Sequence, residues 1–475
     1  MGRKSGAAGT RELFASTPVS KAVWTMALPT IITQLINIIY NYADTWYVGR
    51  TANAAMVAAL GICFPLFVIM AAVANLFGVG GSSVISRAMG QNNLAKARRT
   101  FADAFWGGMA AAVVFMLVII LFRSPIIYLV GGDDADFQYV ADYMFWTMII
   151  GAIPTIGNVL CGHLVRAIGA SKEAGFGMSM GGILNIVLDP LFMFVILPAG
   201  MEVTGAAIAT LLSNTSALVY FLIYIRRRQK KEPDGIINVR LTKAAGASKA
   251  SDTGAVLPEI LLTGFPAALQ TTFAMVSNIF ANVYIRPYGS GAVAGMGIAK
   301  KINMIAFNTC MGMTMGVLPL IGFNYGAKNY DRMRKVIRYT GTVVLLFGAA
   351  CAVVFITQAP HLVRFFINEE ESVEYGTQFL RIIGYAAPLA AVSYLCVTIF
   401  QACGRKWEAF TLSILRKGVF DIPAMYVFRT ILGLGAGGVC LATPFAEVLG
   451  MIVALALYLR FRRGMTDGGV NTDLD

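Results

Sequence analysis

Charge is scarce in this sequence. Of 475 residues only 13% are Asp, Glu, Lys or Arg, while 57% are hydrophobic and the mean hydropathy is +0.68; a soluble domain carries about a quarter of its residues as charges. That balance excludes an ordinary soluble protein and marks an integral membrane protein. Histidine is almost missing: His163 and His361 stand alone, without metal-ligand spacing. The seven cysteines (63, 161, 310, 351, 396, 403 and 440) lie in or beside apolar runs, with no CxxC and no pattern of extracellular pairs, so a disulfide framework is not expected. HExxH is absent too and no metal-ligand cluster stands out, which leaves an intramembrane enzyme without support. The first 20 residues lack the apolar core of a signal peptide, and the first apolar span is expected to act as its own insertion signal.

What is present is a succession of apolar runs, each long enough to cross a bilayer, which takes about 20 residues of helix. Twelve can be read, at roughly 24–48, 54–86, 99–122, 137–165, 173–197, 204–225, 257–285, 291–321, 336–358, 376–402, 408–430 and 437–459. The expected fold is an all-α membrane protein of twelve transmembrane helices in two pseudo-symmetric six-helix lobes. The expected boundaries are an N-terminus over 1–23, an N-lobe over 24–225, a linker over 226–256, a C-lobe over 257–460 and a tail over 461–475.

The net charge of +13, from 38 basic against 25 acidic side chains, could suggest nucleic acid, so its placement matters more than its size. Most Lys and Arg fall at the termini and in the even-numbered connections, including Arg87 to Arg99, Arg226 to Lys249 and Lys328 to Arg338. The odd connections hold only Arg50, Arg123, Arg286, Arg364 and Arg429. By the positive-inside rule both termini are expected in the cytoplasm, and the basic balance needs no nucleic acid to explain it.

The two halves repeat one another at an offset of 232 to 237 residues. Pro29 and Asn41 meet Pro266 and Asn278, VAALGI (57–62) meets VAGMGI (293–298), and SRAMGQNN (86–93) meets GFNYGAKN (322–329). RAIGASK (166–172) meets QACGRKW (401–407), DP (189–190) meets DIP (421–423), and GAAIAT (205–210) meets GVCLAT (438–443). An offset of six spans preserves orientation, so the halves are parallel repeats about an axis along the membrane normal, an arrangement suited to alternating access with a site between them.

A carboxylate near the centre of a bilayer costs about 2.5–3.5 kcal/mol on insertion scales and usually marks function. The first half has two acids there, Asp44 and Asp189. Asp44 shares a helix face with Tyr40, Asn41 and Asn37, and Asp189 shares one with Asn185. Pro190 cannot donate to the carbonyl of Ile186, which frees that oxygen for another partner. Counted at 1.5 Å per residue from the span ends, Asp44, Asp189 and Thr210 lie roughly 8, 12 and 10 Å below the outer surface. Two carboxylates, an amide and a hydroxyl at one depth suit a hard monovalent cation or a shared proton.

These motifs together, YNYADTWYVG of span one, GVGGSSVISRAMGQNN, NIVLDP of span five and GAAIAT, resemble the multidrug and toxic compound extrusion (MATE) transporters, closest to the bacterial multidrug-efflux members, over about 20–460. The resemblance implies an antiporter, not an enzyme, that exports small organic, mostly cationic compounds in exchange for inward H⁺ or Na⁺. It implies a cation site at Asp44, Asn185, Asp189 and Thr210, where Na⁺ could bind, with Tyr40 and Asn158 around it. No cofactor is implied beyond the coupling ion, and no partner beyond its small-molecule substrates and membrane lipids; the chain is expected to act as a monomer in the plasma (inner) membrane. Some relatives also carry acids on spans seven and ten, but here neither span has one inside it, since Glu259 stands at the very start of span seven.

The second half differs in kind. The repeat sets Ala281 against Asp44, Lys417 against Asn185, Asp421 against Asp189 and Thr443 against Thr210. Lys417 and Asp421 are four apart on one helix and are expected to pair, unless Lys417 reaches for the membrane boundary instead. Other intramembrane charges of this half are Lys300, Lys301, Arg381, Arg416 and Glu447. An alternative reading, a flippase of lipid-linked precursors with a related fold, calls for a strongly basic cavity, and the acids Asp421 and Glu447 count against it. The acidic loops GGDDADF (131–137) and NEEESVE (368–374) occupy matching places and are expected to cap the helices that follow.

Overall fold

The computed structural model describes residues 7–51, 53–233, 235–237, 239 and 256–466, and among them there are helices and no strands. Span 1 is Val19–Gly49, span 2 Ala54–Gly90, span 3 Leu94–Leu129, span 4 Phe137–Ile150 with Ala152–Ala167, span 5 Ser171–Ile196 and span 6 Glu202–Lys231. Span 7 is Val256–Tyr288, span 8 Ser290–Gly326, span 9 Tyr330–Thr357, span 10 Glu370–Gly384 with Ala386–Cys403, span 11 residues 406–431 and span 12 Gly435–Thr466. Twelve helical spans in two lobes result.

Ten of these helices are long and apolar enough to cross a membrane unaided, and span 4 makes an eleventh once its two pieces, bent by 50° at Gly151, are joined. The span that falls short is the eleventh in order. It carries Arg416, Lys417, Asp421 and Arg429, and its helix is broken twice by π turns, over Leu415–Asp421 and Val427–Ile431. Of the expected linker, residues to Lys231 continue the helix of span 6, while 240–255 lie outside the described residues, as do 1–6 of the N-terminus and 467–475 of the tail.

The acidic loops do not cap the following helices through side chains. Asp133 instead closes a turn, its Oδ1 accepting from the backbone N–H groups of Ala135 and Asp136 at 3.0 Å each. Glu369 precedes its helix without a side-chain bond to the backbone, because its carboxylate accepts the Ser372 hydroxyl at 2.7 Å. Only Glu370 and Glu371, in the first turn of that helix, remain placed to favour its dipole.

The apolar cores show how the lobes are arranged. Away from the chain termini each lobe has its own: Val48, Met56, Met70, Tyr143 and Met193 belong to one, and Ala281, Ile285, Met296, Phe379 and Met425 to the other. At the end where both termini lie a single core joins the lobes, running from Phe14 and Met26 through Phe77 and Ile85 to Ile260, Val317 and Phe323. The apolar cores are thus joined at one end and separate at the other.

Glycine makes the fusion possible. Spans 2 and 7 approach so closely that a Cβ on Gly80 would collide with the Ile260 carbonyl and one on Gly264 with that of Leu76. The ends of spans 2 and 8 meet likewise, Gly90 against the Phe323 carbonyl and Gly326 against that of Arg87. Such small-residue seams are how membrane helices gain packing that apolar burial alone cannot supply in lipid. At the other end Gly49 and Gly61, of spans 1 and 2, face open space.

Polar contacts close the same end. Glu259 of span 7 takes Arg87 at 3.0 Å and Lys96 at 2.7 Å, both from the other lobe. The Ser83 hydroxyl donates to the Gln401 carbonyl at 2.5 Å, and Arg332 of span 9 donates to the carbonyls of Phe14, at 2.7 Å, and Thr17, ahead of span 1. Farther from this end the lobes still touch where Asn75 Nδ2 donates to Thr271 Oγ1 at 3.2 Å and the Tyr42 hydroxyl to the Lys301 carbonyl at 2.6 Å.

Candidate functional site

Span 5 is built to lie between two neighbours. Ser171 and Ser179 on one side bond to span 1: the Ser171 hydroxyl donates to the Met26 carbonyl at 2.6 Å, and Ser179 shares a hydrogen bond with Thr33 at 3.2 Å. Gly175 between them leaves room for Pro29, and on the opposite side Gly181 lies against Ala217 and the Ser213 carbonyl of span 6. Small residues therefore draw spans 1, 5 and 6 together, and the polar groups one to two turns farther along span 5 end up between all three.

There Asn185 Nδ2 donates to Asp189 Oδ1 at 2.9 Å and lies 3.3 Å from Thr210 Oγ1. Asn214, one turn past Thr210, donates to the Thr210 carbonyl at 3.1 Å and accepts from Asn158 Nδ2 at 3.2 Å. Asp189 is fully buried, and Asn185 and Asn158 nearly so. Asp44 comes from span 1; its Oδ1 makes no hydrogen bond among the described residues, and it lies within electrostatic range of Asp189 and Tyr40. The residues singled out from the sequence, Asp44, Asn185, Asp189, Thr210, Tyr40 and Asn158, occupy one region between spans 1, 4, 5 and 6. Asn41 is more exposed: its amide turns back to the Asn37 carbonyl at 2.6 Å, and its side chain also bonds Tyr40 at the edge of this region.

Acceptors outnumber donors here. Asp44 Oδ1, Asn158 Oδ1, Asn185 Oδ1, Asp189 Oδ2 and Ser213 Oγ are all buried without a hydrogen-bond partner among the described residues. Buried oxygens in this condition are costly unless something positive joins them. The donor set, two carboxylates with amide and hydroxyl oxygens, suits a hard cation or a proton. Among the described residues no group of three or more His, Cys, Asp or Glu is placed to hold a metal ion.

The sequence reading missed Tyr143, Ser213 and Asn214. Tyr143, on span 4, is 4% exposed and within electrostatic range of Asp44, Asp189 and Tyr40. Asn214 could have been found, since it stands four residues after Thr210 on the same face; nothing in the sequence singles out Tyr143.

The equivalent region of the C-lobe is an ion network. Lys417 Nζ lies 3.3 Å from Asp421 Oδ2 and 3.4 Å from Glu447 Oε1, and Arg416 lies 3.7 Å from Glu447 Oε2 and 4.1 Å from the centre of the Tyr394 ring. The Ser277 hydroxyl donates to Asp421 at 2.6 Å. Lys417 stays inside the lobe, 12% exposed. Arg416 and Lys417 both lie in the π turn over Leu415–Asp421, and both reach Glu447. The repeat could have revealed two of these partners, because Glu447 stands where the N-lobe has Asn214 and Ser277 where it has Tyr40.

The MatE family profile matches twice, over residues 29–191 and 266–427, once in each lobe and in the register of the internal repeat. The chain belongs to the MatE family. Among relatives of this MatE protein, the multidrug export protein MepA of Staphylococcus aureus (strain MSSA476) is 28% identical over 454 residues, covering 95% of this chain and 96% of its own, and MepA of Staphylococcus saprophyticus is 27% identical over 453. A MATE multidrug resistance transporter solved in an outward-facing conformation superposes with a TM-score of 0.86 at 22% identity, covering 98% of this chain and 99% of its own. A Pyrococcus furiosus transporter of the MOP superfamily, described by a binding pocket of reversed polarity, does so at 0.87 and 23%, covering 98% and 100%. These likenesses fix the MATE fold, and this MatE chain is a multi-pass membrane transporter.

Proposed function

We propose that this MatE protein is a secondary antiporter that exports small organic, mostly cationic compounds, drugs and dyes among them, while H⁺ or Na⁺ enters through the N-lobe. The observation that carries this is the pair Asp44 and Asp189, set among buried oxygens that lack hydrogen-bond partners among the described residues. One charge crossing the membrane is worth about 2.3 kcal/mol per 100 mV, so the inward gradient supplies the work and the stoichiometry sets how much of it drives export. The names of the MepA relatives support multidrug export.

In this reading both termini and the fused end of the lobes face the cytoplasm of the cell whose plasma membrane holds the chain, as the distribution of Lys and Arg suggests. In that orientation the separate apolar cores lie toward the outside, the side to which substrate would leave and from which the coupling ion would arrive. Alternating access would part the seam at Gly80, Gly264, Gly90 and Gly326 and bring the outer halves together.

The test is efflux of fluorescent dyes by purified protein in liposomes under an imposed pH or Na⁺ gradient. Export that follows either gradient and stops in Asp189→Asn supports the reading. Export indifferent to both gradients, or unaffected by the substitution, overturns it.

A further inference from the structure

Ahead of span 1 a short helix, Ala7–Ala15, lies across the end where the apolar cores join. Its last turn is seated on the C-lobe. Phe14 is fully buried, its ring centre 5.4 Å from that of Phe323 at the end of span 8, and its carbonyl accepts from Asn324 Nδ2 at 3.2 Å and from Arg332 Nε at 2.7 Å. Arg332 also donates to the carbonyl of Thr17, just past the helix. One turn earlier the same helix is tied to the N-lobe: the Thr10 hydroxyl donates to the Ile168 carbonyl, after span 4, at 2.7 Å, and Arg11 donates to Asn92 Oδ1, between spans 2 and 3, at 3.3 Å. Gly169, with a φ of 82°, leaves room for Thr10, whose methyl would lie 2.9 Å from a Cβ placed there.

These contacts straddle the seam between spans 2 and 8. Asn92 follows Gly90, which packs on the Phe323 carbonyl, and Asn324 precedes Gly326, which packs on that of Arg87. Thr10 and Phe14 are four residues apart on one helix, roughly 6 Å along its axis, and a helix cannot lengthen to follow two lobes that move apart. One set of contacts has to break when the seam opens. The C-lobe set buries an aromatic ring, and the cost of exposing that ring to water opposes its release. The N-lobe set is made by side chains near the surface, that of Arg11 exposed.

We infer that the helix Ala7–Ala15 is a bolt across the closed end, which stays seated on the C-lobe and releases the N-lobe at Thr10 and Arg11 when that end opens. The inference rests on the alternating access of the exporter reading and adds to it the contact that gives way. It depends on neither the substrate nor the coupling ion.

The experiment is pairwise distance measurement between spin labels, by double electron–electron resonance, on the full chain in lipid nanodiscs without gradient or dye. Labels at Ala95 and Lys335 report the lobes, and a label at Glu12 paired with each of them reports the helix. Thr10→Val deletes the hydroxyl and keeps the shape; it is expected to raise the long-distance population of the 95–335 pair about fivefold, the worth of one such hydrogen bond. Thr10→Ser, which retains the hydroxyl, is expected to match the parent protein. In the opened population the 12–95 distance should lengthen while the 12–335 distance holds. Melting temperatures identify a variant that has failed to fold, in which case Thr10→Ala replaces Thr10→Val. Unchanged 95–335 distances in the folded variant, with or without a lower melting temperature, make the helix a brace and overturn the inference, as does a 12–335 distance that lengthens on opening. A single short 95–335 distance in the parent and every variant sinks alternating access at this seam, and the bolt with it.

Discussion

Lys96 and Arg332 occupy the same place in the two halves of the repeat, and each fastens the first span of the opposite lobe. Lys96 reaches Glu259 at the start of span 7 at 2.7 Å, and Arg332 reaches the Phe14 and Thr17 carbonyls ahead of span 1. Both follow an asparagine that caps their helix, Asn93 and Asn329, whose Oδ1 atoms accept from the Lys96 and Arg332 backbone N–H groups. Both asparagines follow a residue with positive φ, Asn92 at 60° and Lys328 at 56°. The motif pair QNN and AKN is thus a duplicated clasp.

Removing one arm of the clasp should favour the state opened at that end. Glu259→Gln deletes the partner of both Arg87 and Lys96, and for a partly exposed pair a loss of about 1 kcal/mol, roughly fivefold in the equilibrium, is expected. Spin labels at Ala95 and Lys335, one on each lobe, would report a larger long-distance population. A distribution identical to the parent protein would remove the clasp from the transport cycle.

Asp44→Asn and Asp189→Asn should each abolish gradient-driven dye efflux while leaving the protein folded. An amide at 189 can still accept from Asn185, so the 2.9 Å contact that shapes the site survives while the charge does not. Reconstituted transport together with a melting curve separates the two effects, and wild-type rates in either variant would remove that carboxylate from coupling.

Thr210→Val should weaken cation binding more than dye binding. It deletes the hydroxyl 3.3 Å from Asn185 at nearly constant volume, and a roughly tenfold loss of ion affinity, about 1.4 kcal/mol, is expected. The measurement is the Na⁺ and pH dependence of dye affinity; an unchanged dependence takes Thr210 out of the site.

Lys417→Met should destabilise the protein, because Asp421 and Glu447 lose the ammonium they share at 3.3 and 3.4 Å. Breaking a buried pair from one side costs about 3–5 kcal/mol, which would appear as a large drop in melting temperature, partly recovered in Lys417→Met/Asp421→Asn. The ion dependence of efflux should remain with the N-lobe, so that Asp421→Asn still couples. Loss of coupling in Asp421→Asn, comparable to that in Asp44→Asn, would contradict a division of labour in which one lobe exchanges a mobile charge and the other holds a fixed one.

The spans, the repeat, the embedded acids and the likeness to the MATE family could be read from the chain alone. Lipid forces each crossing segment into a long apolar helix, so hydropathy records the architecture directly. A helix also fixes which residues share a face, so Asn185 with Asp189 and Lys417 with Asp421 follow from spacing. What only the tertiary structure decided depends on how separate helices meet. Tyr143 of the bent span 4 comes within range of the N-lobe acids, and Arg416 joins Lys417 at Glu447 of span 12. The end at which the apolar cores join follows from the placement of two six-helix bodies. Periodicity describes a single helix and carries no term for the distance between two of them.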